Sequence, residues 1–117
     1  MQVNGTNLTM IRGDNATIFI RCETADGFGR PFEGGDTVRM TVKRLLSDTQ
    51  SAAVIRKTIT EFSDGVAVVE ILPAETKALQ PAAYIYDVEL TEPDGRVTTI
   101  IRPSGFTVEG DVTNVKR

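Results

Sequence analysis

The sequence predicts an all-β antiparallel sandwich, and three observations carry that expectation. Tyr84, Tyr86, Val88 and Leu90 alternate with Ile85, Asp87, Glu89 and Thr91 at the period of two that a half-buried strand requires. Glu92-Pro93-Asp94-Gly95 follows at once, a turn cluster in which Pro fixes φ and Gly accepts a positive φ. Similar short alternating runs recur along the chain, separated by Gly-, Pro- and Asp-rich stretches.

Taken in order, Ala16 to Thr24 places Ile18, Ile20 and Cys22 inward and Thr17, Phe19 and Arg21 outward. The outward Phe19 is expected to be covered by Leu8 to Ile11 or by a loop. A turn-rich stretch, residues 25–31, leads to Thr37 to Arg44. There Val38, Met40 and Val42 face the core and Arg39, Thr41 and Lys43 form a positive outer row. Leu45 to Ser51 is a polar connection, and Val54 to Thr60 is a further strand suited to a sheet edge. Gly65 to Leu72 is apolar almost throughout, with Ala67, Val69 and Ile71 inward.

Pro73 to Leu79 breaks the β pattern. Proline at a first helical position followed by good helix formers predicts one short crossover helix, with Ala78 and Leu79 tucked under the sheet edge. Leu79 to Val108 reads as three consecutive strands, the first two joined by the Asp94-Gly95 turn. A Leu and a Pro just ahead of Tyr84 match the corner at which a Tyr hydroxyl caps a sandwich connection. Strands of this number and spacing predict an immunoglobulin-like sandwich. It forms a single domain over residues 1–117, with the termini, about 1–6 and 110–117, flexible or docked on a partner.

Composition narrows the function. Formal net charge is −3, against the basic excess of nucleic-acid-binding domains. No apolar run approaches a membrane span, and the first residues do not read as a secretory signal. One cysteine, Cys22, excludes an intramolecular disulfide and suits folding in a reducing cytoplasm. The absence of histidine removes the commonest metal ligand and general base together.

No nucleophile–base pair can be assembled, and Cys22 falls on an inward position where a small buried hydrophobe is the default. Glu61 and Asp64 read as solvated carboxylates. Arg12-Gly13-Asp14 spells an adhesion tripeptide but reads as a bend before a strand. Asp26-Gly27, Asp64-Gly65 and Asp94-Gly95 are single acids in separate turns, not the clustered oxygen ligands of a calcium loop. Gly34-Gly35-Asp36 lacks the Lys and Ser/Thr of a phosphate-binding loop. Neither a catalytic residue, a cofactor nor a metal is expected.

One order of segments runs through the chain. Met10-Ile11-Arg12-Gly13-Asp14 opens it, and Asp36-Thr37-Val38-Arg39-Met40-Thr41-Val42-Lys43 and Leu72-Pro73-Ala74-Glu75-Thr76-Lys77-Ala78-Leu79 follow. Tyr84-Ile85-Tyr86-Asp87-Val88, Asp94-Gly95-Arg96-Val97 and Gly105-Phe106-Thr107-Val108 close it. This order resembles the small immunoglobulin-like domain at the N-terminus of tailed-phage baseplate upper proteins. It is also similar to short stand-alone phage and prophage structural proteins. The baseplate relatives continue into a helical linker and a further domain, whereas this sequence ends at Arg117. Arg102-Pro103-Ser104-Gly105, where those relatives carry a plain turn, is expected to lengthen a loop.

The resemblance implies a non-enzymatic virion structural protein of the tail or baseplate, the neck or the capsid surface, made and assembled in the host cytoplasm. Its expected partners are other virion proteins or further copies of the chain, with no nucleic acid and no membrane. The contacts are expected on the outer row Arg39, Thr41 and Lys43, on the edge strand through Ile55, Arg56, Lys57 and Ile59, and at the termini. The alternative is a carbohydrate- or host-surface-binding module presenting Phe28 and Phe32.

Overall fold

Alternation along Thr37–Lys43 and Ala82–Thr91 becomes two neighbouring strands at the centre of a sheet. The computed structural model describes residues 1–23 and 27–112. Its strands are β1 (Gln2–Asn4), β2 (Asn7–Ile11), β3 (Ala16–Ile20), β4 (Thr37–Lys43), β5 (Ile55–Ile59), β6 (Ala67–Ile71), β7 (Ala82–Thr91) and β8 (Val97–Glu109). A single 3-10 turn, Gln50–Ala52, precedes β5, and the helix α1 (Pro73–Lys77) crosses from β6 to β7.

The strands form a six-stranded sheet, ordered β1-β2-β8-β7-β4-β5, and a two-stranded sheet of β3 and β6. All pairings are antiparallel except that of β2 with β8. The fold is thus the expected all-β sandwich of immunoglobulin-like order, with a short helix between the sheets. Its core is filled by the inward rows: Val38, Met40 and Val42 from β4, Ala67, Val69 and Ile71 from β6, and Tyr84, Tyr86, Val88 and Leu90 from β7. Leu8, Met10, Phe106 and Val108 close the far side.

The Tyr84 corner forms as the sequence suggests. Its hydroxyl donates to the Gln80 carbonyl at 2.7 Å, and the residue is buried. Tyr84→Phe should cost about 1 kcal/mol, the net worth of one such hydrogen bond, read as a lower urea midpoint with an unchanged slope.

Several expectations are corrected. Residues 2–11 form the β1–β2 hairpin, and β2 pairs with β8 on the large sheet, away from Phe19. Phe19 therefore stays uncovered, 60% exposed beside Val68 on the outer face of the small sheet. The β3 strand ends at Ile20, and Thr24 lies outside the described residues, as do Asp26 and residues 113–117. Leu79 is buried but Ala78 is exposed.

Downstream of the Asp94-Gly95 turn there is one 13-residue strand, β8, in place of two. Two register shifts against β7, between Tyr86 and Val88 and between Val88 and Glu89, absorb extra residues of β8. Pro103 falls in the first of these irregularities, where a missing backbone donor costs little. Arg102-Pro103-Ser104-Gly105 is therefore part of a bulged strand, and no longer loop arises there.

At one end of the sandwich the turn-rich segment is pinned. Asp64 and Gly65 both have positive φ, 51° and 74°, and form a tight turn closed by hydrogen bonds between Ser63 and Val66. A Cβ at Gly65 would lie 2.6 Å from Pro31 Cβ, so glycine is required for the approach as well as for φ. Arg30 donates to both carboxylate oxygens of Asp36, at 2.9 and 3.2 Å, and to Glu92 at 3.2 Å. Asp36 also accepts the Glu33 N–H at 2.9 Å. The hydrogen bonds from Arg30 hold the Asp36 carboxyl below the usual carboxylate range, against the effect of burial, and raise the guanidinium's own affinity for its proton.

Candidate interaction face

Burial on one side of β4 and β7 forces the intervening residues onto the other. Arg39, Thr41 and Lys43 of β4 and Ile85, Asp87 and Glu89 of β7 occupy the outer face of the large sheet. Pairing of the strands sets Arg39 opposite Glu89, Thr41 opposite Asp87 and Lys43 opposite Ile85. On the other flank, Arg56 of β5 lies opposite Thr41 and is exposed. A row of cations therefore runs beside a row of carboxylates, where the sequence suggested a positive face alone.

The connection from β4 to β5 shapes one wall. Asp48 accepts the Leu45 N–H at 3.0 Å through its carboxylate and the Lys43 ammonium at 3.1 Å through its carbonyl. Gln50 reaches Thr41 at 3.3 Å. Leu46 is left 70% exposed at the rim. Thr41, Lys43, Leu46, Ile85, Asp87 and Pro103 line a shallow concavity of about 90 Å³ between them.

The ion pairs among the described residues join Arg30 to Asp36 and Glu92, Lys57 to Glu75, and Arg96 to Asp94. None uses a charge of this face. Arg39 instead donates to the Thr91 hydroxyl at 3.1 Å.

The edge strand divides differently from the expectation. β5 does lie at the edge, but Ile55 is a core residue, 3% exposed, and Ile59 is half-buried against the core. Ile55→Lys would place a charge inside the sandwich and so tests stability, not contact. Lys57 shares the inner side with them and meets Glu75 of α1 at 2.7 Å. Burial opposes ionisation of Glu75, yet the Lys57 ammonium and the Leu72 N–H, at 2.8 Å, outweigh it and hold the carboxyl low. An inward charge on an edge strand is a device against strand addition. Arg39, Thr41, Lys43 and Arg56 are thus brought together on one face, whereas Ile55, Lys57 and Ile59 are not.

Asp87 and Glu89 were readable as outward residues, but nothing in the sequence tied them to Arg39 and Lys43; only the β4–β7 pairing does so. Arg12 is consumed structurally: its guanidinium donates to the Lys77 and Leu79 carbonyls at the end of α1, at 2.7 to 3.1 Å. Gly13 N–H reaches the buried Thr76 hydroxyl at 2.9 Å, so the tripeptide is a bend clasped to the helix. Phe32 is 3% exposed and packs on Phe62 with centroids 5.2 Å apart, which withdraws it from any surface platform; Phe28 remains 72% exposed. Burial raises the Cys22 thiol pKa, which disfavours the reactive thiolate. Among the described residues, no group of three or more His, Cys, Asp or Glu converges on a metal position. No helix among them is long and apolar enough to cross a membrane.

No family model matches this chain, and no curated protein matches it.

Proposed function

We propose that this domain is a non-enzymatic component of a tailed-phage or prophage particle, assembled in the host cytoplasm and working by contact with virion proteins through the outer face of β4 and β7. The observation that carries the contact face is the pair of adjacent charged rows on a rigid central part of the sheet, none of whose charges is used in an ion pair among the described residues. Both strands are held from behind by fully buried Val38, Met40, Val42 and Val88. Such a surface has little ordering cost to meet on binding. The particle is supplied by the resemblance of the segment order to baseplate and prophage structural domains.

A glycan-binding reading retains only Phe28 of its two expected aromatics, because Phe32 belongs to the core. The test is the double charge reversal Arg39→Glu/Lys43→Glu. It should change folding stability by less than about 1 kcal/mol, as solvent-facing substitutions do. Occupancy in purified particles, read by quantitative mass spectrometry, should fall at least several-fold. Full occupancy of the folded variant would remove this face from the assembly.

A further inference from the structure

We propose that the outer face of β4 and β7 joins two copies of this chain across a twofold axis parallel to the strands. The proposal rests on the reading of this face as the contact surface, and it names the partner. A twofold axis in the plane of a face-to-face contact can lie along the strands or across them. Along the strands, it sets β4 of one copy over β7 of the other; across them, it sets β4 over β4. Only the first operation matches opposite charges.

The register then supplies the contacts. Arg39 lies level with Glu89 and Thr41 with Asp87, so Arg39 of one copy meets Glu89 of the other and the reciprocal contact repeats it. Lys43, level with Ile85, reaches diagonally toward the second copy's Asp87. Each charge meets an opposite partner, whereas among the described residues of its own chain it forms no ion pair. Exposed Leu46, half-buried Ile85 and exposed Pro103 contribute apolar surface around the concavity.

Extent sets the expected strength. The strip from β5 to β8 is four strands wide, and its flat footprint is roughly 450 Å² before side-chain relief is added. That places it among the smaller interfaces, and a concentration-dependent dimer is expected rather than an obligate one.

The experiment compares wild type with Arg39→Glu/Lys43→Glu and with Asp87→Lys/Glu89→Lys by sedimentation and light scattering. Concentrations run from micromolar to millimolar. Wild type should show a monomer–dimer equilibrium that weakens as salt is raised from about 0.05 M to about 0.5 M. Each variant alone should dissociate about tenfold more readily, or more. An equimolar mixture of the two should recover a heterodimer, since one face is then acidic and the other basic.

A wild type monomeric throughout overturns the proposal. So does a dimer indifferent to both reversals, or a mixture no more associated than its parts. Should either variant fail to fold, a wild-type dimer insensitive to salt overturns it equally. Particle occupancy separates this from the broader reading. A monomeric wild type whose Arg39→Glu/Lys43→Glu form is still lost from particles overturns the twofold contact and leaves the face to another virion protein.

Discussion

Asp36→Ala should lower folding stability by about 2–3 kcal/mol, the range for removing one partner of a buried, hydrogen-bonded charge pair whose other member keeps some access to water. Asp36 is buried and holds three groups: both guanidinium nitrogens of Arg30 and the Glu33 N–H. Truncation leaves the Glu33 donor unsatisfied and Arg30 paired with Glu92 alone. The Arg30 side chain is 28% exposed, so water partly replaces the lost carboxylate and the cost stays below that of a sealed ion pair. Asp36→Asn keeps one acceptor and should retain part of the stability. Urea unfolding at pH 7 checks both.

The same residue should steepen acid unfolding. Its carboxyl is held below the ordinary value by Arg30 in the folded state, so between the folded and unfolded pKa values the unfolded chain binds more protons. Stability therefore rises with pH across that window. The contribution of Asp36 is complete above the unfolded value, about 3.9, and is lost as pH falls through the folded value. Glu75 is held low by Lys57 and adds a second such contribution, so Asp36→Ala should flatten the acid limb without abolishing it. A variant whose acid limb superimposes on that of wild type would show that the Arg30–Asp36 pair is not formed in solution.

The strands that could be read from the sequence are those whose alternation is long enough to exceed chance. β4, β6 and β7 each bury three or more residues at the period of two. β2 buries only Leu8 and Met10, and its partner is β8, about a hundred residues away, so its sheet membership is decided by a long-range parallel pairing. Pro103 reads as a break in any local scheme; the bulge opposite β7 lets the strand continue through it. Parity along β5 was legible, since Ile55, Lys57 and Ile59 must share a side. Which side faces the core followed only from pairing with Val38 and Val42. Phe28 and Phe32 look alike in the sequence, and tertiary packing against Phe62 separates them.

The candidate face illustrates the same division. Each of its rows is a local property of one strand, but their complementarity is a property of the β4–β7 register. A one-residue slip would turn both rows into the core. The buried side of these strands therefore fixes the geometry of the contact surface, and the strength of that fixing depends on the core beneath it.

Phe106→Ala should be the most damaging of these changes, at about 3–5 kcal/mol, the usual range for deleting a buried aromatic ring from a packed core. Phe106 is fully buried on β8, opposite Leu8 of β2 and Tyr84 of β7. Its ring meets that of Tyr86 edge to face, with centroids 6.2 Å apart and planes at 73°. Removing it leaves a void between β2 and β7 that neighbouring backbone cannot fill, since Gly105 N–H is tied to the Asn7 side chain at 2.8 Å and the Tyr86 hydroxyl to the Thr6 carbonyl. These ties run from the β1–β2 hairpin to β8 and β7, so the loss should appear there first. Amide exchange at Leu8 and Met10, on the strand next to β8, should accelerate more than at Val38 or Met40, whose strand is separated from β8 by β7. Phe106→Leu keeps most of the volume and should cost less than half as much. The outer face lies on β4 and β7 and should retain its contacts wherever the variant remains folded. Equal acceleration of exchange on β2 and β4 would instead mean that the sandwich opens as one cooperative unit, with the contact face no more stable than the hairpin.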